Sequence, residues 1–233
     1  MLPEGDARLL VRRVALRILK DLYFYPWVSM QENNANTVFL DGEVPTLIDP
    51  GHTHLFGNLV EAMVRDRVDI GRVKLVLFTH GHPDHLEATE RFGEGVLRGI
   101  SKAEYLYMQE EGRELFLATG AQLPGKPFHI LLNRGELSLG NKTFDVIPTP
   151  GHSPGSICLY YQKEKALISG DTLFYLGVGR TDLPGGDTAR LAESIERLEK
   201  LNIEYLVPGH GEMMKGRKAV EKNFQLILSE LMG

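Results

Sequence analysis

The sequence has one cysteine, Cys158, among 233 residues, and one tryptophan. A lone cysteine can close no intrachain disulfide and build no thiolate metal cluster, and its scarcity suits a reducing compartment. No run of eighteen apolar residues occurs, so no stretch reads as a membrane-spanning helix. The N-terminal segment lacks the ordered charged head, apolar stretch and small-residue cleavage site of a secretion signal, which makes the cytoplasm the expected location. Basic residues are not in excess, with 26 Lys and Arg against 31 Asp and Glu. No broad cationic face for nucleic acid is expected, and the expected partner is a small-molecule substrate. Repeats, low-complexity tracts and proline-rich linkers are also missing, so residues 1–233 read as one domain. Oligomeric state is left open.

What is present fits a globular chain with its own core: 42% of residues are hydrophobic and 24% charged. "ARLLVRRVALRILK" is arginine-rich and amphipathic, and reads as a first structural element in preference to a transit or membrane-surface segment. "NTVFLD" and "VPTLID" are short β-rich runs. "LFGNLVEAMVRDRV" has helical spacing, with Leu59, Met63 and Val64 expected on one apolar face. "VKLVLF" is a continuous apolar run, expected as a buried strand. Ser101 and Glu104 have the spacing of a capping box, opening one helix through "AEYLYMQEEGRELFLA". "FHILL", "ELSLG", "KTFDVIPT", "SICLYYQ" and "KALISG" read as an antiparallel meander, followed by helix "TARLAESIERLEKL", strand "EYLVPGH" and helix "KAVEKNFQLILSEL". Two β-rich halves, each followed by helices, predict two packed sheets with helices outside, in the α/β class.

Three of the eight histidines fall within seven residues, "THGHPDH", at the end of a predicted strand. An unpaired imidazole or carboxylate is costly to bury, so the cluster implies either a solvated loop or a metal site. His80, His82, Asp84 and His85 lie there. His152 follows in "IPTPGHSPG", Asp171 in "LISGDTLF" and His210 in "LVPGHG", each in a glycine-containing loop after a predicted strand. Strand ends anchor such loops rigidly, so these groups can converge on one edge of the sheets. Seven ligand-type groups exceed the three or four that one zinc takes, and suit two divalent ions sharing a bridging group. In that division His80, His82 and His152 serve one ion, Asp84, His85 and His210 the other, and Asp171 reaches both. Zinc is the first expectation, while iron and manganese accept the same donors.

The His-x-His-x-Asp-His run at His80 to His85, with His152, Asp171 and His210 in order after it, strongly resembles the metallo-β-lactamase superfamily. The resemblance covers nearly the whole chain. It implies a four-layer αβ/βα sandwich, a bridging hydroxide as nucleophile, Asp84 as the residue that orients it or takes its proton, and Asp49 in "LIDPG" as a support behind the ligands. "GDTLFYLGVGRTDLPGGD" resembles the glyoxalase II-like branch, which implies hydrolysis of a small thioester or ester, hydroxyacylglutathione among the substrates, with Arg180 as a substrate-binding cation. Only 23 residues follow His210, room for one helix and not for the helical glutathione-binding domain of full-length glyoxalase II.

Two other readings stand beside this one. Persulfide dioxygenases share the fold and a similar Gly-Arg-Thr-Asp run, matched by Gly179 to Asp182; that resemblance implies one iron on His80, His152 and Asp171. A metal-stabilised binding module without catalysis is the third. His52 and His54 in "DPGHTH" are expected to line the cleft or face solvent. His129 is expected to be packed or exposed, and Cys158 to be a small buried hydrophobe.

Overall fold

Alternation of side chains along short strands builds two sheets that face each other. The computed structural model describes residues 16–29 and 31–232. Most of the arginine-rich first segment therefore lies outside the described residues. The first sheet holds, in spatial order, β1 (Leu16–Leu19), β2 (Leu22–Tyr25), β3 (Thr37–Leu40), β4 (Thr46–Ile48), β5 (Leu75–Leu77), β6 (Leu97–Ser101) and β7 (Ile130–Leu132). It is antiparallel from β1 to β4 and parallel from β4 to β7. The second holds β8 (Gly135–Leu139), β9 (Lys142–Pro148), β10 (Ile157–Tyr161), β11 (Ala166–Gly170), β12 (Tyr205–Pro208) and β13 (Met214–Lys215), with only β11 and β12 parallel.

The central strands divide their side chains between two cores. Leu75 and Leu77 of β5 join Ile157, Leu159 and Tyr161 of β10 between the sheets. Val76 and Phe78 turn the other way, onto Met63 of α1 (Phe56–Arg65), Met108 of α3 (Lys102–Gln109) and Phe116 of α4 (Arg113–Thr119). Cys158 and Tyr160 turn onto Leu191 and Ile195 of α5 (Thr188–Glu199) and Phe224 of α6 (Arg217–Met232). The result is the expected four-layer αβ/βα sandwich. Burying each such Leu, Ile, Val or Phe side chain stabilises by about 1.5–3 kcal/mol before chain entropy is counted. Among the described residues no helix is long and apolar enough to cross a membrane.

Three local expectations are corrected. Val64 is 65% exposed, because the buried face of α1 is centred on Phe56, Leu59 and Met63, and Val64 sits about 100° round the helix from Met63. The single helix predicted from Ala103 to Ala118 is two helices, α3 and α4. The chain turns between them at Glu110, whose φ and ψ are −115° and −109°, and the Gly112 N–H returns to Tyr107 O at 2.9 Å. "FHILL" is not part of the antiparallel meander: β7 pairs parallel with β6, after the crossover that α3 and α4 provide. A three-residue strand has too few alternations to reveal its sheet.

Candidate metal centre

Five strand ends deliver the site. Asp49 follows β4, His80, His82, Asp84 and His85 follow β5, His152 follows β9, Asp171 follows β11 and His210 follows β12. Cross-sheet hydrogen bonds fix these loops to one another: Asn36 donates from its side chain to Pro208 O and Gly211 O, both at 3.0 Å, and Ile157 N–H donates to Thr79 O at 2.9 Å. Pro83 opens the short helix α2 (Pro83–Leu86), where its missing N–H costs nothing, and this turn places Asp84 and His85 side by side. Gly209 is required by close approach, since a Cβ there would overlap Asp171 Oδ1.

The structure brings His80, His82, Asp84, His85, His152, Asp171 and His210 together. Donor atoms of His80, His82 and His152 all lie within 4.8 Å of one another, as do those of His80, His85 and Asp171, and those of Asp84, His85 and His210. Two donors bound to one zinc at tetrahedral angles stand roughly 3.3 Å apart. His80 Nε2 and His152 Nε2 are 3.2 Å apart, His85 Nε2 and Asp171 Oδ1 3.2 Å, His210 Nε2 and Asp84 Oδ2 3.2 Å, and His210 Nε2 and Asp171 Oδ2 3.4 Å. Asp171 thus touches both groups, its Oδ2 also lying 3.6 Å from His152 Nε2.

Hydrogen bonding behind the cluster decides which nitrogens carry protons. Asp49 adopts a left-handed φ of 54°, which a short polar side chain tolerates. Its carboxylate accepts the Thr79 N–H at 2.9 Å, the Thr79 hydroxyl at 2.7 Å and His85 Nδ1–H at 3.0 Å. Thr79 has given its only proton to Asp49, so towards His80 Nδ1, 3.1 Å away, it accepts. His152 Nδ1–H donates to Arg180 O at 2.7 Å. Neutral His80 and His152 therefore both present bare Nε2 lone pairs, face to face at 3.2 Å. Without a cation between them that approach is repulsive. His82 Nε2 is buried with no hydrogen-bond partner, as expected of an atom shaped to meet an ion. The residues present fit a divalent metal.

Electrostatics divide the cluster in two. Burial, helped by neighbouring imidazoles, holds His80 well below its usual pKa and brings His82 down to about 3; burial also lowers His152. All three are neutral at pH 7, the form that ligates. On the other side burial opposes charge, yet Asp171, Asp49 and Asp84 lift His85 well above its usual value, and Asp171 and Asp84 raise His210 to about 9. Burial works against ionising Asp84 and Asp171 too, but His85 and His210 outweigh it and hold both carboxyls low. This half attracts a cation, and a proton takes the place of a metal where none is bound.

Arg180 is exposed, with its guanidinium held by Asp182 through contacts of 2.7 and 2.6 Å, and its carbonyl is what orients His152. Two contributors escaped sequence reasoning. Asn33 donates to Asp84 Oδ2 at 2.6 Å from a loop with no distinguishing pattern beyond its three asparagines. The Glu104 side chain does not return to the Ser101 N–H, so only half of the capping box forms. The Glu104 amide N–H does reach Ser101 Oγ at 3.1 Å, but its buried carboxylate turns inward to accept the Gly81 N–H, the Gly155 N–H and the Ser153 hydroxyl, each at 2.8 Å. It clamps the His82 loop to the His152 loop. The capping-box spacing pointed at this residue for a different reason.

The family model for the metallo-β-lactamase superfamily matches residues 30–210. A protein of Methanocaldococcus jannaschii named "probable metallo-hydrolase" is 36% identical over 190 residues, 77% of this chain and 89% of its own length. The hydroxyacylglutathione hydrolase GloC of Haemophilus influenzae is 32% identical over 195 residues, 79% of this chain and 88% of its own. Among solved structures, the BLEG-1 B3 metallo-β-lactamase superposes with a TM-score of 0.69 at 30% identity, covering 86% of this chain and 95% of that one. TTHA1623 in a di-iron-bound form superposes with a TM-score of 0.67 at 29% identity, covering 87% and 96%. By sequence and by fold, the chain belongs to the metallo-β-lactamase superfamily.

Proposed function

We propose that this chain is a dinuclear metallohydrolase that cleaves a small thioester or ester, with His80, His82 and His152 holding one divalent ion, Asp84, His85 and His210 a second, and Asp171 shared. The observation that carries the reading is the pair of bare imidazole nitrogens 3.2 Å apart, next to a second, carboxylate-rich cluster that shares Asp171. A site for one ion alone leaves Asp84, His85 and His210 without a role. Two relatives support the pairing with chemistry: one is named a hydroxyacylglutathione hydrolase, and another was solved with two irons. Zinc suits the nitrogen-rich half, and iron or manganese fit the same donors.

Bound ions of this kind supply Lewis acidity and lower the pKa of water towards neutrality. The chain's own groups do the rest. Asp84 keeps its carboxylate ionised beside His85 and His210, and Asn33 fixes its Oδ2, so Asp84 is poised to accept a proton from attacking water. Asp49 holds His85 and, through Thr79, His80 in one orientation. Phe174 stands edge-on to His210, with centroids 5.9 Å apart, and gives the mouth an apolar wall for an acyl group. Arg180, once released from Asp182, can meet an anionic thiol half.

Hydrolysis takes its oxygen from water and a dioxygenase takes it from air. S-lactoylglutathione or a simpler thioester should be cleaved at equal rates with and without oxygen by zinc-loaded protein. If iron-loaded protein consumes oxygen with glutathione persulfide and leaves thioesters intact, the hydrolase reading is wrong.

A further inference from the structure

Apart from the seven residues above, a second kind of donor cluster joins the turn between β4 and α1 to the residue that follows α2. His52, His54 and Glu87 each place a donor atom within 4.8 Å of the others. We propose that these three side chains form a third metal site, for a divalent transition ion of borderline softness such as zinc, nickel or copper. Two imidazoles and a carboxylate are the donor set such ions favour.

Half of this site is already built. His52 Nδ1 lies 3.0 Å from Glu87 Oε2, close to the roughly 3.3 Å between two donors on one tetrahedral ion. The backbone fixes both partners, because the Thr53 N–H also donates to Glu87 Oε2 at 3.1 Å and the Thr53 hydroxyl donates to Glu87 O at 2.8 Å. The other half is open to solvent: the His54 side chain is 61% exposed, with its ring centroid 5.2 Å from that of His52. Closing the remaining distance takes only a rotation of an exposed side chain. Glu32 Oε1 lies 3.8 Å from His54 Nε2 and is an alternative partner that His54 would leave on joining the site.

Occupancy would reach the catalytic cleft through the backbone. Gly51 N–H donates to His85 O at 3.1 Å, and His52 N–H to Asn34 Oδ1 at 2.7 Å, one residue from the Asn33 that fixes Asp84. An ion on His52, His54 and Glu87 therefore ties the 51–54 turn to the wall beside the reaction centre. The inference does not rest on the hydrolase reading, since none of its donors belongs to the inner cluster.

The test is calorimetric titration of zinc into protein already loaded with zinc and desalted, so that tightly held ions are counted separately from the added one. Wild-type protein should take up one further equivalent, with a rise in thermal midpoint; His54→Ala and Glu87→Gln should each lose that equivalent while retaining the inner content. Copper(II) added to the same zinc-loaded protein should show nitrogen hyperfine coupling from two imidazoles in its paramagnetic resonance spectrum, and from one in His54→Ala. Absence of an additional equivalent in the wild type, or its persistence in His54→Ala, overturns the proposal. Equal thermal midpoints of wild type and His54→Ala without added zinc establish that the variant is folded.

Discussion

Replacing Glu104 by Gln tests whether loops are held in place from behind the metal centre. The carboxylate accepts one hydrogen bond on Oε1, from Gly81 N–H, and two on Oε2, from Gly155 N–H and the Ser153 hydroxyl. An amide has one acceptor oxygen. Its best orientation keeps the two bonds on the Oε2 side and points its NH2 at the Gly81 N–H, donor against donor. Losing one hydrogen bond to a charged acceptor costs about 1.5–3 kcal/mol, and the two retained bonds weaken with the charge. Part of this is offset, because burial disfavours the carboxylate and raises the Glu104 pKa. A net destabilisation of about 1–3 kcal/mol follows, and about 2–6 kcal/mol for Glu104→Ala, which leaves the Gly81 and Gly155 N–H groups unpaired while the Ser153 hydroxyl can turn to Ser156 Oγ. Gly81 stands between His80 and His82, so metal affinity should also fall, by about 10–100-fold, as for other groups that orient ligands without binding the ion. Urea unfolding and competition with a chromophoric chelator measure the two effects. Glu104→Gln with wild-type stability and wild-type metal affinity would refute the clamp.

Three further outcomes follow from the same geometry. Asp84→Asn should lower kcat for a thioester by about 10²–10⁴-fold with KM changed far less, since size is kept and proton acceptance is lost; an unchanged kcat with raised KM would contradict the role. Metal-free protein should be most stable near pH 6.5. His80, His82 and His152 have folded pKa values below the unfolded one, so stability falls as pH drops below about 6.5, down to about 3 for His82; those of His85 and His210 lie above it, so their contribution fades as pH rises, up to about 9 for His210. Each imidazole adds a slope of about 1.4 kcal/mol per pH unit, and metal loading should flatten the alkaline arm; a thermal midpoint that changes monotonically between pH 4 and 9 would contradict this. Arg180→Ala should raise KM for anionic thioesters several-fold, whereas Asp182→Asn, which frees the guanidinium from its partner, should lower it; equal effects of both variants would place Arg180 outside substrate binding.

The sandwich was legible because each layer writes its own period. Leu75 and Leu77 against Val76 and Phe78, or Ile157 and Leu159 against Cys158 and Tyr160, show strands buried on both faces. β7 and β13 were not legible, being three and two residues long, and α1 misled because Val64 is apolar on a face that meets water. In the candidate site, His80 to His85 carry their chemistry in one short run, and glycine marks the loops of His152, Asp171 and His210. Groups behind them were harder to see. Asn33 and Glu104 contribute through side-chain hydrogen bonds between segments 51 and 49 residues apart, and no local pattern encodes such a meeting.

The central claim is that two ions share Asp171, and metal content tests it most directly. Protein loaded with zinc and desalted should retain two ions per chain by elemental analysis, His210→Ala and His85→Ala should each retain one, and Asp171→Ala should lose both or hold them far more weakly. A wild-type chain that never retains more than one ion under metal-replete conditions would contradict the account.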